Sequence, residues 1–159
     1  MFKGGYFMSF TISQVVPAQA KAIAPLFDQF RLLNHQQSNL QTAEQYLTAR
    51  LMKQESVIFA AVTTEKKYLG YVQLYPTYSS MTAGRILIMR DMFVVNEARR
   101  QGIASALLKH AAEYAKDIHA QRIVVVAEKD NVAAQHLCEH NRCPINKELI
   151  SYELSSYAH

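Results

Sequence analysis

The chain has 159 residues, enough for one domain whose core needs no disulfide or metal to hold it together. Half of its residues are hydrophobic and 19% are charged, an ordinary globular balance, and no apolar run approaches the roughly 20 residues that span a bilayer. The formal charge of +4 is spread over scattered Lys and Arg. That suits an anionic ligand but, with no basic run or aromatic platform, argues against a nucleic-acid or membrane partner.

The opening MFKGGYFMSF is too short and too interrupted by glycine for a signal-peptide core. Residues 1–9 read as extra or disordered lead-in, with Met8 as good a natural start as Met1. Two cysteines without a secretory signature predict reduced thiols and a cytoplasmic location. FTISQVV is the first predicted strand, and Pro17 after it suits a loop or a first helical turn. Helical spacing of Ala22, Leu26, Phe27 and Phe30 predicts a helix over Ala18–Leu33, which Pro25 should kink or split. A second helix is expected from Thr42, its N-cap, to Lys53, with Tyr46, Leu47 and Leu51 on one face.

Three strands follow, at 57–62, 68–75 and 85–95, rich in β-branched and aromatic residues, with EKK at 65–67 as a hairpin tip. The rhythm then changes. Ile103, Leu107, Leu108, Ala111, Tyr114 and Ile118 recur at helical spacing and predict an amphipathic helix over about 101–118. The run RIVVVAE at 122–128 predicts a strand buried on both faces. A short helix at Asn131–His140 and a closing strand, ISYEL at 150–154, complete the pattern. A meander followed by a strand–helix–strand crossover predicts one α/β (α+β) domain over 1–159, with a mixed sheet and helices on both faces.

Between the strand ending at Val95 and the helix starting near Gln101 lies NEARRQGIAS. A strand, a turn containing Gly102, small residues at Ala104 and Ser105 and then a helix form an anion cradle. First-turn amides and the helix dipole favour negative charge there, and Gly102 leaves the main chain open to a phosphate. Arg99 and Arg100 add positive charge, and Ser105 offers a hydroxyl. One glycine is neither the dinucleotide fingerprint nor a P-loop, and the same residues would also serve as a solvated helix entrance.

RRQGIASALL, preceded by RDMFVV and followed by a long helix, a Val-rich strand and N-x-x-A, resembles the GCN5-related N-acetyltransferase (GNAT) superfamily. The family signature is Arg or Gln, two residues, Gly, one residue, then Gly or Ala, which Arg99, Gly102 and Ala104 match. VQLYPTYSS also resembles the acceptor-side strand and loop of small-molecule members. The resemblance implies acetyl-CoA as cosubstrate, no metal, and a primary amine of a small molecule or peptide as acceptor. It implies a mostly antiparallel sheet with a splayed parallel strand pair, the cofactor arm lying in the wedge. The amides of Arg100, Gln101, Gly102, Ile103, Ala104 and Ser105 would hold the pyrophosphate. The backbone of Phe93, Val94 and Val95 would bind the pantetheine, and Asn131 and Ala134 would form a second cofactor-facing segment. A homodimer is compatible with this reading. The rival is a catalytically weak acyl-CoA-binding or regulatory module.

Transfer to an amine requires a proton acceptor, because lysine-like amines titrate near ~10.4, and a polarised thioester carbonyl. A strand amide at Phe93 or Val94 is the expected polarising group. Asp91, in an otherwise apolar strand, is the acidic candidate for a base relay, with an ion pair or an exposed edge as its alternative. Alternation sends Arg90 and Asp91 to opposite faces, so one of them needs a polar niche on a covered face. Tyr75, Tyr78 and Ser79, with Arg31 and His35 near the end of the first helix, are candidate acceptor-pocket residues, and packing or a solvated face would equally explain each.

DNVAAQHLCEHNRC gathers His136, Cys138, His140 and Cys143. His136 and His140 share a helix face and Cys138 points away from it, so a four-ligand zinc site would require the helix to unwind. A nucleophilic thiol would need an activating environment. By resemblance, Cys138 stands where the family has the tyrosine that protonates the departing thiolate. Cys138 is then a short substitute acid, acting through a water, or Tyr75, Tyr78 or Tyr152 serves instead, or the thiolate leaves unassisted.

Overall fold

The computed structural model describes residues 8–156, which fall into two compact units that divide between Glu128 and Lys129. The expected lead-in at 1–9 lies largely outside the described residues. Of it, Met8 and Ser9 are irregular backbone, and the Met8 amide donates to Gln101 Oε1 at 2.8 Å.

In the first unit, β1 (Thr11–Gln14), β2 (Val57–Val62), β3 (Tyr68–Ser79), β4 (Gly84–Val94) and β5 (Ile123–Val125) form one sheet in chain order. The first three pairings are antiparallel and β4–β5 is parallel. Helices α1 (Ala20–Leu33) and α2 (Leu40–Met52) cover one face and α3 (Ile103–Asp117) the other. The expected mixed, mostly antiparallel sheet with helices on both faces is therefore present.

Alternation along β2 builds both cores. Ile58 and Ala60 join Ile23, Phe27, Leu47 and Tyr71 beneath α1 and α2. Phe59 instead meets the rings of His110 and Tyr114 on α3. Within α1, Ala20, Ile23, Ala24 and Phe27 are buried at spacings of three and four.

Four local expectations are corrected. The α1 helix is not split at Pro25 but continues through it, the ring exposed on the solvent face, where water can satisfy the carbonyl that loses its donor. The cap of α2 is Asn39, not Thr42: Asn39 is extended and its side chain accepts the Thr42 amide. Residues 76–79, read as loop, continue β3 paired with β4, leaving only 80–83 for the turn. The run 122–128 forms only a three-residue strand, half-exposed rather than buried on both faces, because β5 is an edge that pairs with β4 alone.

A β-bulge in β4 positions the site. Gln73 pairs with Asp91 and Leu74 with Met89, leaving Arg90 as the extra, exposed residue. Met89 and Asp91 thus face opposite sides of the sheet although only two residues apart. Backbone direction flips too. The Leu87 amide and the Met89 carbonyl bond toward β5, whereas the Val95 amide, an even number of residues further on, donates to Leu69 beside β3.

The second unit holds α4 (Val132–His140), capped by the Asn131 side chain accepting the Ala134 amide at 3.0 Å. The closing strand expected at 150–154 is absent. Ile150, Tyr152 and Leu154 alternate in sequence, but this segment pairs with no strand and their side chains are exposed.

Candidate active site

Pairing of β5 with β4 covers only Leu87–Met89, so among the described residues no strand pairs with the outer edge of β4 beyond that point. Which amides face this open edge follows from the ladder. Val95 donates to Leu69, and Phe93, two residues earlier and paired with Tyr71, also directs its backbone toward β3. Met92 and Val94 therefore point the other way. The expectation of backbone groups at Phe93, Val94 and Val95 narrows to Val94. Its carbonyl accepts Arg99 Nε at 3.0 Å, and the Arg99 guanidinium lies 5.9 Å from the Phe93 ring centre.

Gly70 allows the close approach of β3 to β4 here, since a Cβ at that position would come within 2.8 Å of the Phe93 carbonyl oxygen.

A short 3-10 turn, Asn96–Ala98, leads from β4 into the predicted cradle. Arg100 (φ 61°) and Gly102 (φ 77°) are both left-handed, which coils the chain tightly into α3. Gly102 is the N-cap and has no side chain to offer, so the Ile103 and Ala104 amides carry no capping side chain. Among the described residues, a Cβ on Gly102 would meet nothing beyond its chain neighbours within 4 Å, so they leave the space before the turn open. Gln101 is held by the Met8 amide, and Arg99 and Arg100 are exposed. Uncapped amides, a helix dipole, two arginines and open space at one point suit a phosphate group.

Asp91 lies on the α1–α2 face, 4% exposed. Of the adjacent pair, Asp91 takes the covered polar niche and Arg90 the solvent. Gln73, fully buried opposite it, donates Nε2 to Asp91 Oδ2 at 2.9 Å. Burial pushes the Asp91 carboxyl up to about 6, while Gln73, Tyr71 and the charge of Arg90 pull it down. Tyr71, also fully buried, comes near enough for each group to influence the other's ionisation, but its hydroxyl has no hydrogen-bond partner of good geometry. Burial, then Asp91, raises the Tyr71 phenol well above its ordinary value. Gln73 Oε1 is likewise unpartnered. Neither Gln73 nor Tyr71 was singled out in the sequence, yet Gln73 is the one amide in the otherwise apolar and aromatic run YLGYVQLY.

The acceptor candidates separate. Tyr75 shares the face of Tyr71 and Gln73, and its hydroxyl lies 2.7 Å from that of Tyr46 on α2. Burial raises its pKa, with Asp91 contributing. Tyr78 has the opposite parity and is 71% exposed, so it is not beside Asp91, and Ser79 lies at the exposed end of β3. Arg31 is tied to Asp28 at 3.3 Å, and His35 is exposed, in a left-handed conformation just past α1. Asp28 also accepts from Ser38 Oγ at 2.5 Å and from the Asn39 amide at 2.8 Å. These bonds, Ser38 first, hold its carboxyl below the ordinary value and fasten the α1–α2 loop.

In the second unit, Cys138 and Cys143 are free thiols, both half-buried. Burial and then Cys143 raise the Cys138 pKa, which keeps it a thiol near neutral pH: able to give a proton, unsuited to nucleophilic attack. Among the described residues no three His, Cys, Asp or Glu side chains gather as a metal-binding group. No helix among them is long and apolar enough to cross a membrane.

Comparison with known proteins gives a consistent result. The profile of the acetyltransferase (GNAT) family matches residues 21–142. An uncharacterized N-acetyltransferase, YhfO, of Bacillus subtilis (strain 168) is 43% identical over 130 residues, spanning 82% of this chain and 87% of its own. A probable acetyltransferase of known crystal structure superposes with a TM-score of 0.86 at 35% identity, covering 94% of this chain and 99% of its own. An aminoglycoside acetyltransferase from a soil metagenome, crystallised with sisomicin, shares the fold at a TM-score of 0.76 and 16% identity, over 94% and 97% of the two chains.

Proposed function

Because the chain belongs to the GNAT family of acetyltransferases, we propose that it transfers an acetyl group from acetyl-CoA directly to a primary amine of a small molecule or peptide. The observation that carries the reading is the open edge of β4 running into the glycine-opened turn at Arg99–Ser105, whose N-cap Gly102 offers no side chain to the Ile103 and Ala104 amides. These residues fit an extended, phosphate-bearing group. The Ile103 and Ala104 amides, with Arg99 and Arg100, would hold the phosphates, and the Val94 amide would face the pantetheine arm. When bound, acetyl-CoA supplies an activated thioester carbonyl.

The chain's own work is then positioning and proton handling. Fixing two reactants side by side supplies several kcal/mol of barrier lowering, on the order of 7–11 in well-oriented cases. The Val94 amide, pointing out from the strand, is the candidate donor to developing negative charge on the carbonyl oxygen. Asp91, with its pKa raised by burial to about 6, is ionised at neutral pH and takes up the proton the amine must lose. Tyr46 and Tyr75 present hydroxyls on the same sheet face as Asp91 and are candidate acceptor contacts. The presence of aminoglycoside acetyltransferases among its structural relatives makes polyamine-like sugars one sensible part of an acceptor panel.

The test is titration calorimetry with acetyl-CoA, followed by free-thiol release across a panel of primary amines. Binding, with thiol release for at least one amine, is expected. Absence of binding overturns the cofactor assignment. Binding without release across the panel favours a non-catalytic acyl-CoA-binding module, the reading suggested by Cys138 in place of a tyrosine.

A further inference from the structure

The row Tyr71, Gln73 and Asp91 is a poor way to build a core. All three side chains are nearly or wholly enclosed; Gln73 Oε1 has no partner, and Tyr71 Oη has none of good geometry beyond its closeness to the Asp91 carboxyl. An enclosed polar atom left unsatisfied costs about 1–3 kcal/mol, and apolar residues of similar volume would remove the cost. We propose that Gln73 and Tyr71 are positioning residues for Asp91, tying down one carboxylate oxygen so that the other takes up the proton released by the acceptor amine. This rests on the acetyltransferase reading above.

The geometry assigns the parts. The bulge at Arg90 sets Asp91 directly across from Gln73 in the β3–β4 ladder, on the same face. Gln73 Nε2 reaches Oδ2 at 2.9 Å, and the Tyr71 hydroxyl stands close to the same carboxyl. An ionised carboxylate only accepts, and here it has the Gln73 N–H as donor and the Tyr71 O–H close by. Once protonated, the carboxyl becomes a donor, and the unpartnered Gln73 Oε1 and the nearby Tyr71 Oη can both accept. The row therefore contains hydrogen-bonding capacity for both protonation states, which a static structural pair does not need.

The surrounding charges are few. Tyr71 and Tyr75 face Asp91 from β3, and Arg90 acts on it from β4. On α2, Tyr46 and Arg50 stand behind Tyr75. On α1, Asp28 is already engaged by Ser38, Asn39 and Arg31.

Carboxyl carbon-13 NMR of aspartate-labelled protein reads the proposal without a substrate, with Asp91→Asn identifying the Asp91 resonance. Gln73→Leu removes the donor to the ionised form and should raise the Asp91 midpoint by about one pH unit. Tyr71→Phe keeps the ring in the core, removes only the oxygen, and should shift the midpoint the same way by less. Should Gln73→Leu fail to fold, Tyr71→Phe carries the test alone. A midpoint left in place in both variants, whatever the change in melting temperature, overturns the proposal. With an amine acceptor in hand, the acid limb of the pH–rate profile should follow the NMR midpoint in each variant. A moved midpoint with an unmoved rate profile removes Asp91 from the reaction itself, a failure distinguishable from that of the positioning.

Discussion

Replacing Asp91 with Asn should make the protein more stable at neutral pH while slowing its reaction. In the folded chain burial raises this carboxyl from 3.8 to about 6. The folded state therefore holds the proton more tightly than the unfolded one. Stability from this group is fully present below the unfolded value and is lost as pH rises through about 6. A difference of about two pH units corresponds to roughly 3 kcal/mol between strongly acidic and mildly basic solution. About half of it, ~1.5 kcal/mol, falls between about pH 5 and pH 8. The amide introduced by Asp91→Asn cannot ionise, and its oxygen can still accept the Gln73 N–H, so the variant escapes the loss. Urea unfolding of both proteins at about pH 5 and pH 8 measures the difference, and groups such as Asp28 cancel between the two. The variant should gain on the parent by ~1.5 kcal/mol over that interval. A gap between the two proteins that stays constant with pH would refute the burial argument. The rate with a good amine should fall by about 10²–10⁴, and chiefly so above the parent's acid limb.

Other changes probe the remaining parts. Gly102→Ala places a side chain at φ 77° where it meets no atom of the described residues beyond its chain neighbours, so stability should drop by only about 1 kcal/mol. Gly102→Val should in addition weaken acetyl-CoA binding at least tenfold, and undiminished affinity in calorimetry removes the turn from the cofactor site. Gly70→Ala would press a methyl group against the Phe93 carbonyl, costing about 1–3 kcal/mol in urea unfolding and lowering acetyl-CoA affinity by displacing the β4 edge. Asp28→Ala leaves the Asn39 amide without its acceptor and should cost about 2–4 kcal/mol at neutral pH. Because the Asp28 carboxyl is depressed, that deficit should shrink as pH falls below 3.8, and an undiminished deficit in acid would show that its charge is irrelevant.

Much of this was legible in the residues. Burial on one face writes a period, so β2 at Val57–Val62 and α3 lie where the pattern put them. The turn at Arg99–Ser105 was legible because glycine and an unprotected helix start are local features. What depends on partners was not. The alternation at 150–154 is real, yet a strand exists only with a ladder, and none forms there. Tyr75 and Tyr78 look equivalent three residues apart, and only the continuation of β3 through Pro76 sends them to opposite faces. Asp91 stood out as a lone acid in an apolar run, but its placement beside Gln73 depends on a bulge that no residue type announces.

That bulge makes the site a matter of counting. Ahead of Arg90 the odd-numbered residues of β4 turn their backbone toward β5; after it the even-numbered ones do, and Val94 is among them. Were Arg90 paired with Gln73 instead of bulged out, Asp91 would fall on the α3 face and the Val94 amide would turn toward β3. A substitution can spare or spoil one group at a time, whereas a one-residue slip of register here would misplace the Val94 amide and the Asp91 carboxyl together. Along this strand, register is as much a part of the candidate site as residue identity.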